Sequence, residues 1–189
     1  SEFPDSIASV RNNMVKKALE CGCTSIWMGD TDQIYPKDTL VKLISHNLPV
    51  ICAKVHRRYP PFDPLLYQKT KWKWKYLDTP REAWKNGELV EVEATGAACM
   101  LIRSEVFEKV KFPWFKSLPP TKKRNYAVGE DIYFWKGVKK AGYRIFVDTS
   151  IEVGHTSIIT INKGFYDLYR LATNNPEPFK VKQSKKNNK

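Results

Sequence analysis

No run of about 18 apolar residues occurs anywhere in the 189-residue chain, so nothing in it reads as a membrane-spanning helix. The first residues lack an apolar stretch as well. Glu2 and Asp5 stand where a secretory leader would be apolar, so no signal peptide is expected. Cysteine is sparse: Cys21, Cys23, Cys52 and Cys99 have neither disulfide-framework nor zinc-site spacing. Ordinary reduced thiols and cytoplasmic residence are the expectation. What the chain does have is 42% apolar residues, enough for a real core, and an aromatic share of 13%. Aromatic rings serve both as core and as platforms for flat ligands.

The net charge of +12 is local. Residues 54–85 hold nine Lys/Arg against three Asp/Glu, and residues 163–189 hold seven against two. Those two segments carry +11 of the total, which directs the basicity at an anionic partner: a nucleotide diphosphate, an anionic membrane surface or nucleic acid.

Hydrophobic spacing predicts a helix through Ile7, Val10, Met14 and Ala18, stopped at Gly22, then a short buried strand from Thr24 to Met28. The polar loop Gly29-Asp30-Thr31-Asp32 follows. Pro36 fits the first turn of a helix whose apolar face is Leu40, Leu43 and Ile44, and Pro49 to Val55 is the next strand. This rhythm predicts an α/β domain with a mostly parallel central sheet, helices on both faces and a small antiparallel extension. Lys71 to Tyr76 alternates basic and aromatic residues with strand periodicity. Further strands are expected over Glu88–Val92 and Ala97–Ile102, meeting at Gly96, and then over Tyr143–Val147 and Ile151–Gly154. Helices are expected from Ser104, as cap, to Val110 and from Gly129 or Glu130 to Gly142. The organisation expected is one domain over 1–173 and a mobile basic tail over 174–189.

Four groups of residues can carry chemistry. Asp30 and Asp32, at i and i+2 beyond a strand, can both face the crevice where open α/β sheets bind ligands, and hard oxygen donors there suit Mg2+ or Mn2+. The plain alternative is a loop or helix cap. Glu130-Asp131 at a helix start is either a dipole partner or, facing a pocket, a general base. His155 after a strand is a third metal ligand if carboxylates lie near it, and an ordinary hydrogen-bonding histidine otherwise. Arg11, beside Asn12 on the first helix, suits phosphate recognition or a solvated helix face.

In order and spacing, these pieces resemble the family-2-type glycosyltransferases of the A-type, Rossmann-like fold. The likeness runs through Ile7-Ala8-Ser9-Val10-Arg11-Asn12, Ile26-Trp27-Met28-Gly29-Asp30-Thr31-Asp32, and Thr95-Gly96-Ala97-Ala98-Cys99-Met100-Leu101-Ile102-Arg103. It continues through Gly129-Glu130-Asp131-Ile132-Tyr133-Phe134, Ala141-Gly142-Tyr143 and Val153-Gly154-His155, covering about residues 7–157. The resemblance implies hexosyl transfer from a nucleoside-diphosphate sugar to a hydroxyl on a glycan, lipid-linked carrier, protein or nucleic acid. It assigns Mn2+ or Mg2+ to Asp30, Asp32 and His155, with Asp32 the more direct ligand. Asp131, with Glu130 beside it, would position or deprotonate the acceptor. Gly96 and Ala97 would let the donor sugar approach the backbone, Asp30 would reach the ribose, and Arg11 would lie near the phosphates. Members of that family open with a base-binding β–α unit ahead of the Arg-Asn helix. Here that helix starts near residue 7, so the expectation is a fragment of a longer protein or a reduced, divergent member.

Two other readings use the same residues. A nucleic-acid-binding module would stack bases on Trp72 and Trp74 and grip the backbone with lysines. A metal-dependent nucleotidyltransferase would use the same acids on a similar sheet and release pyrophosphate instead of a nucleoside diphosphate.

Overall fold

The computed structural model describes residues 6–59, 62–68, 87–122 and 124–173. They fall into two compact units, Ser1–Thr156 and Ser157–Lys189. The first contains α1 (Ile7–Glu20), β1 (Ser25–Gly29), β2 (Gln33–Ile34), α2 (Thr39–Ser45), β3 (Val50–Val55), β4 (Leu66–Tyr67) and β5 (Leu89–Val92). It continues with β6 (Ala94–Thr95), β7 (Cys99–Arg103), α3 (Ser104–Lys109), α4 (Glu130–Lys140) and β8 (Ile145–His155). The second contains α5 (Lys163–Thr173). The basic-aromatic segment Lys71–Tyr76 and the tail 174–189 lie outside the described residues.

β3 is buried at every position, as a central strand covered on both faces must be. The sheet order is β1-β7-β3-β8-β2, with β5 also pairing β8, and β4 and β6 form a separate two-stranded ladder. β1 and β3 both run antiparallel to β7, and β3 runs parallel to β8. β1, β3 and β8 therefore share one direction, as the α/β rhythm predicts, while the reversed β7 between β1 and β3 makes both of its own ladders antiparallel. β4, β5 and β6 supply the antiparallel extension.

Side-chain alternation splits the core in two. Val50 and Cys52 of β3 and Met100 and Ile102 of β7 join Val15 of α1, Phe107 of α3, and Phe134 and Trp135 of α4. Ile51 and Ala53 of β3 and Cys99 and Leu101 of β7 join Leu43 of α2 on the other face. Helices thus cover both faces. Phe134 stacks on Phe115 at 4.5 Å and on Phe107 at 5.5 Å, and truncating such a fully buried ring costs about 3–5 kcal/mol.

Several local expectations are corrected. α1 buries Ala8, Arg11, Asn12 and Val15, leaving Ile7, Val10 and Met14 about half exposed. The helix is turned this way because Arg11 and Asn12 have polar partners in the interior: Asn12 pairs with both the N–H and the carbonyl of Phe115, at 3.1 and 2.8 Å. α2 starts at Thr39, after a turn in which the Thr39 N–H donates to the Pro36 carbonyl at 3.0 Å. Ser104 does not cap α3; its hydroxyl donates to the Cys23 carbonyl instead. The two strands expected over 143–154 are one, β8, whose pairing with β3 jumps from Ala53↔Asp148 to Lys54↔Glu152. Asp148 holds that bulge: its Oδ1 accepts from the Ser150 N–H and hydroxyl at 2.8 and 2.6 Å.

Candidate functional site

The Asp30–Asp32 loop leaves the end of β1 and is fixed from behind by a tyrosine. The Tyr35 hydroxyl lies 2.7 Å from the Asp30 carbonyl and 3.0 Å from the Ala98 carbonyl. A side chain at Gly29 would sit 2.6 Å from that hydroxyl, so glycine is what lets the ring reach the loop. Burial, with Cys99 and Asp30 adding to it, pushes the Tyr35 phenol up to about 12, so it stays a neutral donor. The Asp30 N–H donates to the Ala98 carbonyl at 3.1 Å, which sets the Thr95–Ala98 segment beside the loop.

β2, too short to show any periodicity, pairs Gln33 with His155 and Ile34 with Gly154. That ladder brings Asp32 to His155, with the nearest atoms 3.4 Å apart. The Asp32 carbonyl also accepts from the Thr156 N–H and hydroxyl, at 2.9 and 2.8 Å. His155 Nδ1 is 2.9 Å from the His56 carbonyl, an acceptor only, so Nδ1 carries the proton and Nε2, 3.4 Å from Asp32, is left as an acceptor. Arg58 stands against both: its Nε donates to His155 Nε2 at 3.2 Å and its guanidinium pairs with the Asp32 carboxylate.

Arg11 joins the second cluster. It is buried, and its guanidinium bridges Asp30 at 2.7 Å and Glu130 at 2.8 Å, with the Phe115 ring beneath it. The loop after β1 and the start of α4 are thereby tied together. Glu130 is spent on Arg11, whereas the Asp131 Oδ1 accepts from the Ile132 N–H at 2.6 Å. Burial pushes the Asp131 carboxyl up to about 6; the Ile132 hydrogen bond opposes this, the neighbouring Glu130 adds to it, and Arg11 pulls it back. Gly96 gives the space of its missing side chain to Leu65 and Val55, and Ala97 is buried in the core.

Asp32 and His155 form a donor set of one carboxylate oxygen and one neutral imidazole nitrogen. Among the described residues no group of three or more His, Cys, Asp or Glu is placed to hold a metal ion, since Asp30 is taken by Arg11. Two protein donors of this kind would suit a hard divalent cation that completes its coordination with other oxygens.

The unanticipated residues are Arg58, Tyr35 and the strand β2. Arg58 sits beside Arg57 in a Pro- and Tyr-rich stretch where the sequence gives no reason to single it out, and Tyr35 lies in a loop. Among the described residues no helix is long and apolar enough to cross a membrane.

The first unit is a mixed α/β fold of the glycosyltransferase A-type kind. The chain is similar to the crystal structure of A197 from STIV, with a TM-score of 0.56 at 20% identity over 82% of this chain and 69% of that one. It is also similar to GalNAc-T7 with UDP, GalNAc and Mn2+, with a TM-score of 0.55 at 14% identity over 84% of this chain. The match spans about a third of that transferase's length (32%). No protein-family model and no curated protein sequence matches the chain.

Proposed function

We propose that the chain carries the catalytic end of a metal-dependent glycosyltransferase that uses a nucleoside-diphosphate sugar. The observation that carries this reading is the meeting of Asp32 and His155, 123 positions apart in sequence, with His155 Nε2 3.4 Å from the carboxylate. It lies on a fold similar to one solved with UDP and Mn2+. Asp32 and His155 would hold Mn2+ or Mg2+, which supplies countercharge to the departing nucleoside diphosphate. In this reading Asp30 and Arg11 would lie toward the ribose and phosphates, and the Gly96–Ala97 backbone toward the donor sugar.

Asp131 is the proton acceptor in this reading. Its carboxyl, held up to about 6, is ionised at neutral pH yet basic enough to take a proton. In an inverting course the acceptor oxygen bonds to the anomeric carbon as the bond to the diphosphate breaks, and the hydroxyl proton passes to Asp131. Glu130, locked on Arg11, positions the start of α4 instead of exchanging protons.

Release of nucleoside diphosphate from a panel of nucleotide sugars, with and without Mn2+, tests the reading. Metal-dependent release that falls in Asp131→Asn supports it. Release of pyrophosphate from nucleoside triphosphates would move the chain to the nucleotidyltransferases.

A further inference from the structure

Gln33 is a buried polar residue beside the candidate site to which the proposed chemistry gives no part. It stands opposite His155 in the β2–β8 ladder, and directly opposed residues project their side chains from the same face. Gln33, His155 and Asp32 therefore converge. The Gln33 Nε2 donates to Asp32 Oδ1 at 3.3 Å, while His155 Nε2 stands 3.4 Å from Oδ2 of the same carboxylate. The other half of the amide is the anomaly. Gln33 is buried, and its Oε1 has no hydrogen-bond partner among the described residues. A buried acceptor oxygen without a donor is unfavourable, and protein interiors rarely keep one. A hydroxyl can turn its proton toward a neighbour, but an amide oxygen needs a donor or a cation brought to it.

We propose that Gln33 is a third protein ligand of the divalent cation, binding through Oε1 beside Asp32 and His155; this rests on the reading of those two residues as metal ligands. An amide oxygen is a hard, neutral donor of the kind that Mn2+ and Mg2+ accept. The reach is sufficient. Oxygens on one six-coordinate ion with bonds of about 2.1 Å sit about 3 Å apart, and the amide already lies 3.3 Å from the Asp32 carboxylate. A half-turn about the last side-chain bond exchanges the two amide atoms. The group that holds Asp32 through nitrogen without the cation thus meets the cation through oxygen. Being neutral, Gln33 adds a bond to the ion without adding charge. One carboxylate against a dication leaves a positive excess, which favours an anionic diphosphate as the next partner. A role limited to holding Asp32 explains the nitrogen contact but leaves the buried oxygen without a purpose.

The test is electron paramagnetic resonance of Mn2+ added alone to the full 189-residue chain, in wild type, Gln33→Met, Gln33→Glu and Asp32→Ala. Glutamine is labelled with carbon-13 at the side-chain carbonyl, so that electron–nuclear double resonance reports an amide oxygen on the metal. Wild type is expected to show a carbon-13 coupling to the bound Mn2+ that disappears in Gln33→Met, where Gln68 and Gln183 still carry the label. Gln33→Met is expected to bind Mn2+ about tenfold or more weaker. Gln33→Glu is expected to bind it about tenfold tighter, since a charged oxygen replaces a neutral one. Bound Mn2+ that needs Asp32 yet shows no coupling to Gln33 would overturn the proposal and leave the transferase reading standing. A loss of affinity in Gln33→Met without that coupling would do the same, making Gln33 a holder of Asp32 only. Mn2+ binding that is absent, or indifferent to Asp32→Ala, would overturn both.

Discussion

His155 points its Nε2 at Asp32, 3.4 Å away, because the short β2–β8 ladder sets Gln33 opposite it and the His56 carbonyl fixes its other nitrogen. Arg58 completes the arrangement, a resident cation against the two groups that would ligate a metal. Arg58→Ala is therefore expected to raise the affinity for Mn2+ in the absence of nucleotide by about tenfold, or about 1.4 kcal/mol. Titration of Mn2+ by electron paramagnetic resonance reads this directly. Unchanged or weaker binding in the variant would mean that Arg58 does not compete for the site.

Asp131 ties activity to pH. A base must be ionised, so transfer is expected to rise with pH through about 6 and level off above it. Asp131→Asn should keep donor binding and lower transfer by at least about a hundredfold. Full transfer in that variant, or a flat profile between pH 5 and 8, would remove Asp131 from the reaction.

The same carboxyl has a stability signature. Its folded value of about 6 lies above the ordinary 3.8, so the fold favours the neutral form. That contribution is complete below about 3.8 and is lost as pH rises through about 6, where the buried group must ionise. Asp131→Asn should therefore be more stable than wild type at pH 7, by roughly 3 kcal/mol, and no more stable near pH 3. Denaturant unfolding at both pH values measures the difference, and equal stability at pH 7 would contradict it.

Arg11 is structural as well as central. Removing it leaves Asp30 and Glu130 without their shared cation at the junction of the β1 loop and α4. Arg11→Ala is expected to destabilise the fold by about 3 kcal/mol, the scale of a buried charge deprived of its partner. A loss below about 1 kcal/mol in urea unfolding would show that the bridge is solvated and dispensable.

Much of the framework is legible in the chain itself, for physical reasons that vary by element. β3 reads as an apolar run broken only by Lys54 because both its faces are covered, and α4 is bracketed by Gly129 and Gly142, the latter in the left-handed region at φ 88°. The carboxylates at 30, 32 and 131 and the histidine at 155 stand where strands or helices end, which is where their positions in sequence put them. What periodicity misreads is α1. Its apolar residues Ile7, Val10 and Met14 form a neat stripe, yet the buried stripe is Ala8, Arg11, Asn12 and Val15. Two of those four are polar, and only long-range partners, Asp30 and Glu130 for Arg11 and Phe115 for Asn12, make their burial favourable. Arg58 is hidden for the same reason, since its meaning lies in Asp32 and His155, far away in sequence.

The central claim is that Asp32 and His155 hold a divalent cation which in turn holds a nucleoside diphosphate. Calorimetric binding of UDP, GDP and related diphosphates, with and without Mn2+, on wild type and Asp32→Ala tests it most directly. The account predicts binding that needs the metal and falls at least about a hundredfold in the variant, on the scale of about 2.7 kcal/mol, with thermal unfolding unchanged because Asp32 is partly exposed. Diphosphate binding that is indifferent to Mn2+ and equal in Asp32→Ala would contradict it.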